Sequence, residues 1–260
     1  MFRSSLLIVA CLIAVISTDA QIKRRIKKGS RNKSQSDFAL EKGDIEVDWV
    51  LGYETVTAEL DLVYPNLGIR YGITDRLEIN AGISTISVWD RSVLPKNHLS
   101  GLEPLGFGIN YQFSEEGEGR TSIVLSGQLA IPYFATNHFT ADRYAPVLQL
   151  IVNKPVGDRH NFGSSVGLFW DGFAAAPSFI YDVNYTNHLN SKWDVTVDVF
   201  GFVNGGPSQH TLDLTANYNY SNMFQYGLTA GVGLTPASPR FYTALSGVWT
   251  MNTLKKKKQG

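Results

Sequence analysis

LGFGINYQF, residues 105–113, decides the fold. Leu105, Phe107, Ile109, Tyr111 and Phe113 are apolar, while Gly106, Gly108, Asn110 and Gln112 between them are small or polar. In an extended strand successive side chains point to opposite faces, so this period of two gives one apolar face and one that is not. The same alternation runs outward from this stretch in both directions. Upstream it appears at Ile45 to Tyr53, Leu67 to Tyr71 and Leu77 to Ile83. Downstream it appears at Ile123 to Ile131, Leu148 to Val152, Phe162 to Trp170, Phe179 to Tyr185, Trp193 to Val199, Leu212 to Tyr220, Phe224 to Val232 and Phe241 to Trp249. Residue 44 onward carries no sustained helical stripe.

These rows predict twelve antiparallel strands. Segments of roughly ten residues suit tilted strands crossing a bilayer, and an even count suits a bacterial single-chain barrel. The connectors sort by length. Gly72 to Arg76, Ser114 to Arg120, Val156 to His160, Thr186 to Ser191, and Ser221 with Asn222 are short and fall at one end. The two longest, Val88 to Gly101 and Pro132 to Arg143, fall at the other. Short turns on the periplasmic side and long loops outside are the barrel pattern.

A soluble β-sandwich is the competing fold. Its apolar rows would meet in a dry core. Here the opposite rows are polar or glycine-rich: Glu78, Asn80, Gly82 and Ser84 on one strand, Asp194, Thr196 and Asp198 on another, Thr211, Asp213, Thr215 and Asn217 on a third. Tyr, Trp and Phe gather near the row ends, as in an aromatic girdle. Lipid outside and a hydrated lumen inside fit better, and a lipid-exposed sheet must close on itself. The expected fold class is all-β, a twelve-stranded antiparallel transmembrane β-barrel of the outer membrane.

The chain ends add context. Arg3 and the apolar run Leu6 to Ile16, followed by Thr18-Asp19-Ala20, read as a secretory signal over residues 1–20. The run is shorter than a spanning helix requires. Cys11 is the only cysteine and lies inside it. A lipoprotein box around Ile8 to Cys11 is the alternative. Cleavage after Ala20 would leave no thiol for a disulfide or zinc site. Residues 21–40 form a basic leader, with Lys23, Arg24, Arg25, Lys27, Lys28, Arg31 and Lys33. Such a segment has little to bury and is expected to be disordered. The barrel is expected over 41–252, with a basic tail at 253–260 containing Lys255 to Lys258. Export to the bacterial outer membrane implies outer-membrane lipid and the barrel-assembly machinery as partners, and no nucleic acid.

LGIRYGITDRLEINAGIS, residues 67–84, resembles a motif of a family of outer-membrane barrels named for the MetA-pathway of phenol degradation and often labelled transporters. Further similarity lies in LEKGDIEVDWVLGYE near residue 40, in GFGINYQFSEEGEGRTSIVLSGQLAIP at 106–132, and in the last two hairpins. These motifs are structural: turn glycines, strand alternation and the Thr74-Asp75-Arg76 turn. The resemblance implies a porin-like transporter of a small, hydrophobic or aromatic solute.

Chemistry in the sequence is sparse. His98, His138, His160, His188 and His210 are scattered without metal-ligand spacing, the first two placed in outer loops. No cofactor, metal or catalytic residue is expected. Ser208 near His210 keeps a lipid hydrolase open as an alternative, without a third member or oxyanion hole. A plugged structural or adhesive barrel is the other alternative. The informative feature is acidic. Glu46, Asp48, Glu78, Asp182, Asp194, Asp198 and Asp213 all take lumen parity, because carboxylates facing lipid would be costly. Arg70 and Lys192 are their candidate basic partners. The row is either a structural network with those cations and water, or a lining that repels anions.

Overall fold

The computed structural model describes residues 40–56, 60–90, 97–114 and 121–252. The signal and tail regions expected at 1–20 and 253–260, and the leader expected at 21–40 except for Leu40, lie outside them. Among the described residues, thirteen strands form one antiparallel sheet. They are β1 (Asp44–Thr55), β2 (Leu60–Gly72), β3 (Leu77–Asp90), β4 (Asn97–Leu102), β5 (Leu105–Gln112), β6 (Ser122–Ile131), β7 (Ala145–Val156), β8 (His160–Phe169), β9 (Ser178–His188), β10 (Trp193–Val203), β11 (Gln209–Asn219), β12 (Phe224–Gly233) and β13 (Phe241–Asn252). Each pairs with its sequence neighbours, except that β4 and β5 both pair with β3, and β1 pairs with β13. β4 and β5 are therefore two pieces of one stave, and the barrel closes with twelve.

The break between these pieces is a bulge. Gly82 opposes Gly106 and Thr85 opposes Leu102, so three residues on one side face two on the other. Pro104 sits in it, and a proline there removes no ladder hydrogen bond. This corrects one expectation: Val88 to Gly101 is not simply a loop. Its flanks continue as a hairpin in which Val88 opposes Leu99 and Asp90 opposes Asn97. His98 belongs to this strand and stacks on Trp89 with ring centroids 4.8 Å apart.

Side-chain direction follows the sequence parity. The rows read as apolar are exposed around the outside, from Leu51, Leu67, Ile69 and Ile79 to Leu228 and Leu245. Those residues form the lipid-facing surface. Phe224 and Trp249 stack at one rim, and Tyr133 packs edge-on to Tyr144 at the other. The opposite rows point inward and are buried. Several inward positions are glycines because a large side chain on the neighbouring strand lies over them. A Cβ on Gly52 would collide with the ring of Tyr64, its register partner, and one on Gly231 with the ring of Tyr242.

The end where β1 begins and β13 finishes, here the inner end, carries the short turns. The connection 132–144 lies at the outer end, opening with a 3-10 turn at Pro132–Phe134.

Candidate functional site

The lumen is the site, and it has two halves. At the inner half the wall is mostly polar, with Val124 and Ile151 as an apolar pair. Arg70 on β2 is the only lysine or arginine among the buried side chains of the described residues, at 2% exposure. It stands between Glu46 on β1 and Glu78 on β3. Nε donates to Glu78 Oε1 at 2.6 Å and Nη1 to Glu46 Oε1 at 2.5 Å, and Nη2 donates to Glu78 Oε2. Asn110 Nδ2 adds a bond to Glu78 Oε1 (2.9 Å), and Thr250 Oγ1 one to Glu46 Oε2 (3.3 Å). Each charge in this triad is thus hydrogen-bonded, which buried ions require. The backbone N–H of Leu40, itself buried, donates to Glu78 Oε2 at 3.2 Å, and Gly43 N–H bonds to Gly72 O at 2.8 Å. Residues 40–43 therefore lie against the inner mouth.

Asp48 lies over Gly68, where a Cβ would meet its carboxylate. Further round the wall, Asp198 on β10 and Asp213 on β11 are direct register partners. Asp213 accepts from the Tyr242 hydroxyl. Asp182 on β9 accepts from Asn184 Nδ2 at 2.7 Å. Asp194, nearer the inner end, bonds His188 Nδ1 at 2.6 Å and Asn219 Nδ2 at 3.1 Å. Lys192 is not among the hydrogen-bond partners given above for these acids. It is exposed in the inner turn between β9 and β10, where its backbone N–H donates to Asn190 Oδ1. A turn residue has no lumen parity, so the sequence pattern could not place it. Further carboxylates join the inward face: Asp44 and Glu54, both buried on β1, and Glu103 at the bulge, which accepts from Ser84 Oγ. Glu54 shares parity with Glu46 and Asp48 and was legible. Glu103 was hidden by the bulge.

The outer half corrects the expectation of a polar lumen throughout. One inward cluster contains Val50, Leu60, Leu62, Tyr64, Ile86, Val88, Ala244 and Val248, joined by Phe139 from the 132–144 connection. A second contains Val147, Phe169, Ile180, Phe200, Phe202 and Tyr242. Phe200 and Tyr242 meet edge-on at 6.4 Å, Phe169 and Phe202 at 6.2 Å. Phe200 stands one inward position above Asp198 on the same strand. The lumen thus passes from aromatic to acidic within one step of the strand.

The hydrolase pair is not assembled. Nδ1 of His210 bonds the Tyr181 hydroxyl at 2.7 Å, and the Ser208 carbonyl accepts from Thr235 Oγ1. No group of three or more potential metal ligands occurs among the described residues.

A family model described as "Putative MetA-pathway of phenol degradation" matches residues 29–251, and the chain belongs to that family. No curated protein sequence matches it. Solved structures with this fold include an outer-membrane channel from Pseudomonas putida F1, at 15% identity and TM-score 0.65, covering 86% of this chain and 100% of that one. The KdgM porin matches at 8% identity and TM-score 0.55, covering 78% of this chain and 98% of its own. The translocator domain of the autotransporter NalP from Neisseria meningitidis matches at 10% identity and TM-score 0.50, covering 91% and 96%. At these identities the likeness is one of fold: a closed antiparallel outer-membrane barrel.

Proposed function

We propose that this member of the family is a passage through the outer membrane for a small apolar or aromatic solute, exported by a cleaved signal peptide and inserted by the barrel-assembly machinery. One observation carries the reading: the outer half of the lumen is walled largely by Leu62, Tyr64, Phe169, Ile180, Phe200 and Phe202, with Glu54 set among them. A hydrophilic pore has no use for such a wall, whereas an apolar solute gains from it by leaving water. Channels and porins among the structures sharing the fold, and the family's description, support the same reading.

The test is uptake of radiolabelled toluene by cells with a lipopolysaccharide-covered outer membrane, with and without the protein. Faster uptake is expected with it. Equal rates would overturn the reading. A plugged structural barrel is the second reading, favoured by the Arg70 triad and by the burial of the lumen side chains. It predicts no solute-dependent difference between the two cell populations.

A further inference from the structure

Two connections at the outer mouth are tied to each other. In the connection between β6 and β7, Thr136 pairs with the outer stave piece β4. Its N–H donates to Leu102 O at 3.0 Å, and its Oγ1 accepts from Leu102 N at 2.9 Å. β4 has no other strand on that side among the described residues. The chain then turns inward. Phe139 N–H bonds to Thr136 O at 2.7 Å, and the Phe139 side chain is 1% exposed.

The connection between β8 and β9 is tied to the first. Arg143 N–H donates to Gly172 O at 3.0 Å. Gly172 has φ +80° and lies so close to Ala141 that a Cβ would sit 2.7 Å from the Ala141 Cβ. Asp171 Oδ1 accepts from the N–H groups of Phe173 and Ala174, both at 2.8 Å, which fixes that turn. Phe173 packs against the same apolar cluster that holds Phe139.

The seat under Phe139 has a definite shape. Its ring lies against Gly101, where a Cβ would be 2.7 Å from Phe139 Cδ2. Leu60, Leu62, Tyr64, Ile86 and Val88 belong to the same cluster. The seat takes one flat ring. Nothing larger than glycine at 101 would let a ring approach this closely.

We propose that these two connections are a lid, and that the seat of Phe139 is a binding site for a single planar apolar ring, which holds the lid open by taking the place of the Phe139 side chain. This rests on the reading of the barrel as a passage for apolar solutes. An apolar pocket emptied of its ring stays dry and accepts benzene, so the site is testable with benzene itself.

The experiment is ion conductance of the refolded full chain in planar bilayers, with and without benzene. Benzene should raise the conductance of the wild type. Phe139→Gly should conduct several-fold more than wild type without benzene, and benzene should add little to it, because the side chain that benzene displaces is already gone. Unchanged conductance in Phe139→Gly overturns the lid, and a benzene response in Phe139→Gly as large as that of the wild type overturns the seat. Should Phe139→Gly fail to fold, the Gly101→Cys, Phe139→Cys pair serves instead, in a background with Cys11 removed. Its oxidised form should stay closed and ignore benzene, and reduction should restore the response. Benzene opening the oxidised form would refute the proposal. Failure of toluene uptake in cells, with these conductance changes intact, would count against the passage reading and leave the lid standing.

Discussion

Asp198 and Asp213 face one another directly across β10 and β11, both almost fully buried and both inside the barrel. Adjacent strands lie about 4.8 Å apart, so two ionised carboxylates here repel and leave a negative field in any water that reaches them. Ions that pass should therefore be cations. Reversal potentials across a salt gradient should show cation selectivity in the wild type and a weaker preference in Asp198→Asn with Asp213→Asn. Anion selectivity in the wild type would defeat the idea.

Arg70 holds Glu46 and Glu78 together from the strand between them. Arg70→Met leaves two buried carboxylates without their cation, and breaking such a group costs about 3–5 kcal/mol. Urea titration of the refolded protein should show that loss. Adding Glu78→Gln should recover part of it, because one of the stranded charges is gone. A single variant as stable as wild type would mean that water already satisfies both acids.

Leu150 on β7 points outward at mid-strand, and Thr215 on β11 points inward, where its hydroxyl bonds that of Thr229 at 2.8 Å. Leu150→Arg should cost about 2–4 kcal/mol, the mid-bilayer penalty for a basic residue facing lipid. Thr215→Arg should be milder, since its new charge joins an acidic lumen. Equal losses in the same titration would contradict the assignment of the two faces.

Gly231 leaves room for the Tyr242 ring, whose hydroxyl bonds Asp213. Gly231→Val should push the ring aside, at about 1–3 kcal/mol for overpacking, and should detach it from Asp213. Near-ultraviolet circular dichroism would register the displaced tyrosine. An unchanged spectrum with unchanged stability would show that the sheet yields instead.

The wall was legible because lipid imposes a single rule on every strand. Ile79, Leu125 and Leu214 each sit in an apolar row, and all three face outward. The same rule placed Glu46, Asp198 and Asp213 inside. It failed where inward residues are apolar as well. Phe200, Phe202 and Ile180 alternate with apolar outward neighbours, so parity gives no contrast there, and only the three-dimensional grouping shows an apolar chamber. Phe139 lies in a connector, to which the period of two does not apply. Turn residues such as Lys192 escaped for the same reason.

The barrel is closed by β1 against β13, in register from Asp44 opposite Asn252 to Thr55 opposite Phe241. The two halves of that seam are the first and last strands of the sheet, so its contacts carry the greatest sequence separation among the described residues. Contacts of that kind form slowly, because a long loop must close before they reward it. Until they form, β1 keeps an open edge that lipid cannot satisfy. A chain lacking β13 would leave that edge open however well the other eleven staves had paired. Insertion is therefore expected to be concerted, with the final strand acting as the latch that commits the whole sheet to the bilayer.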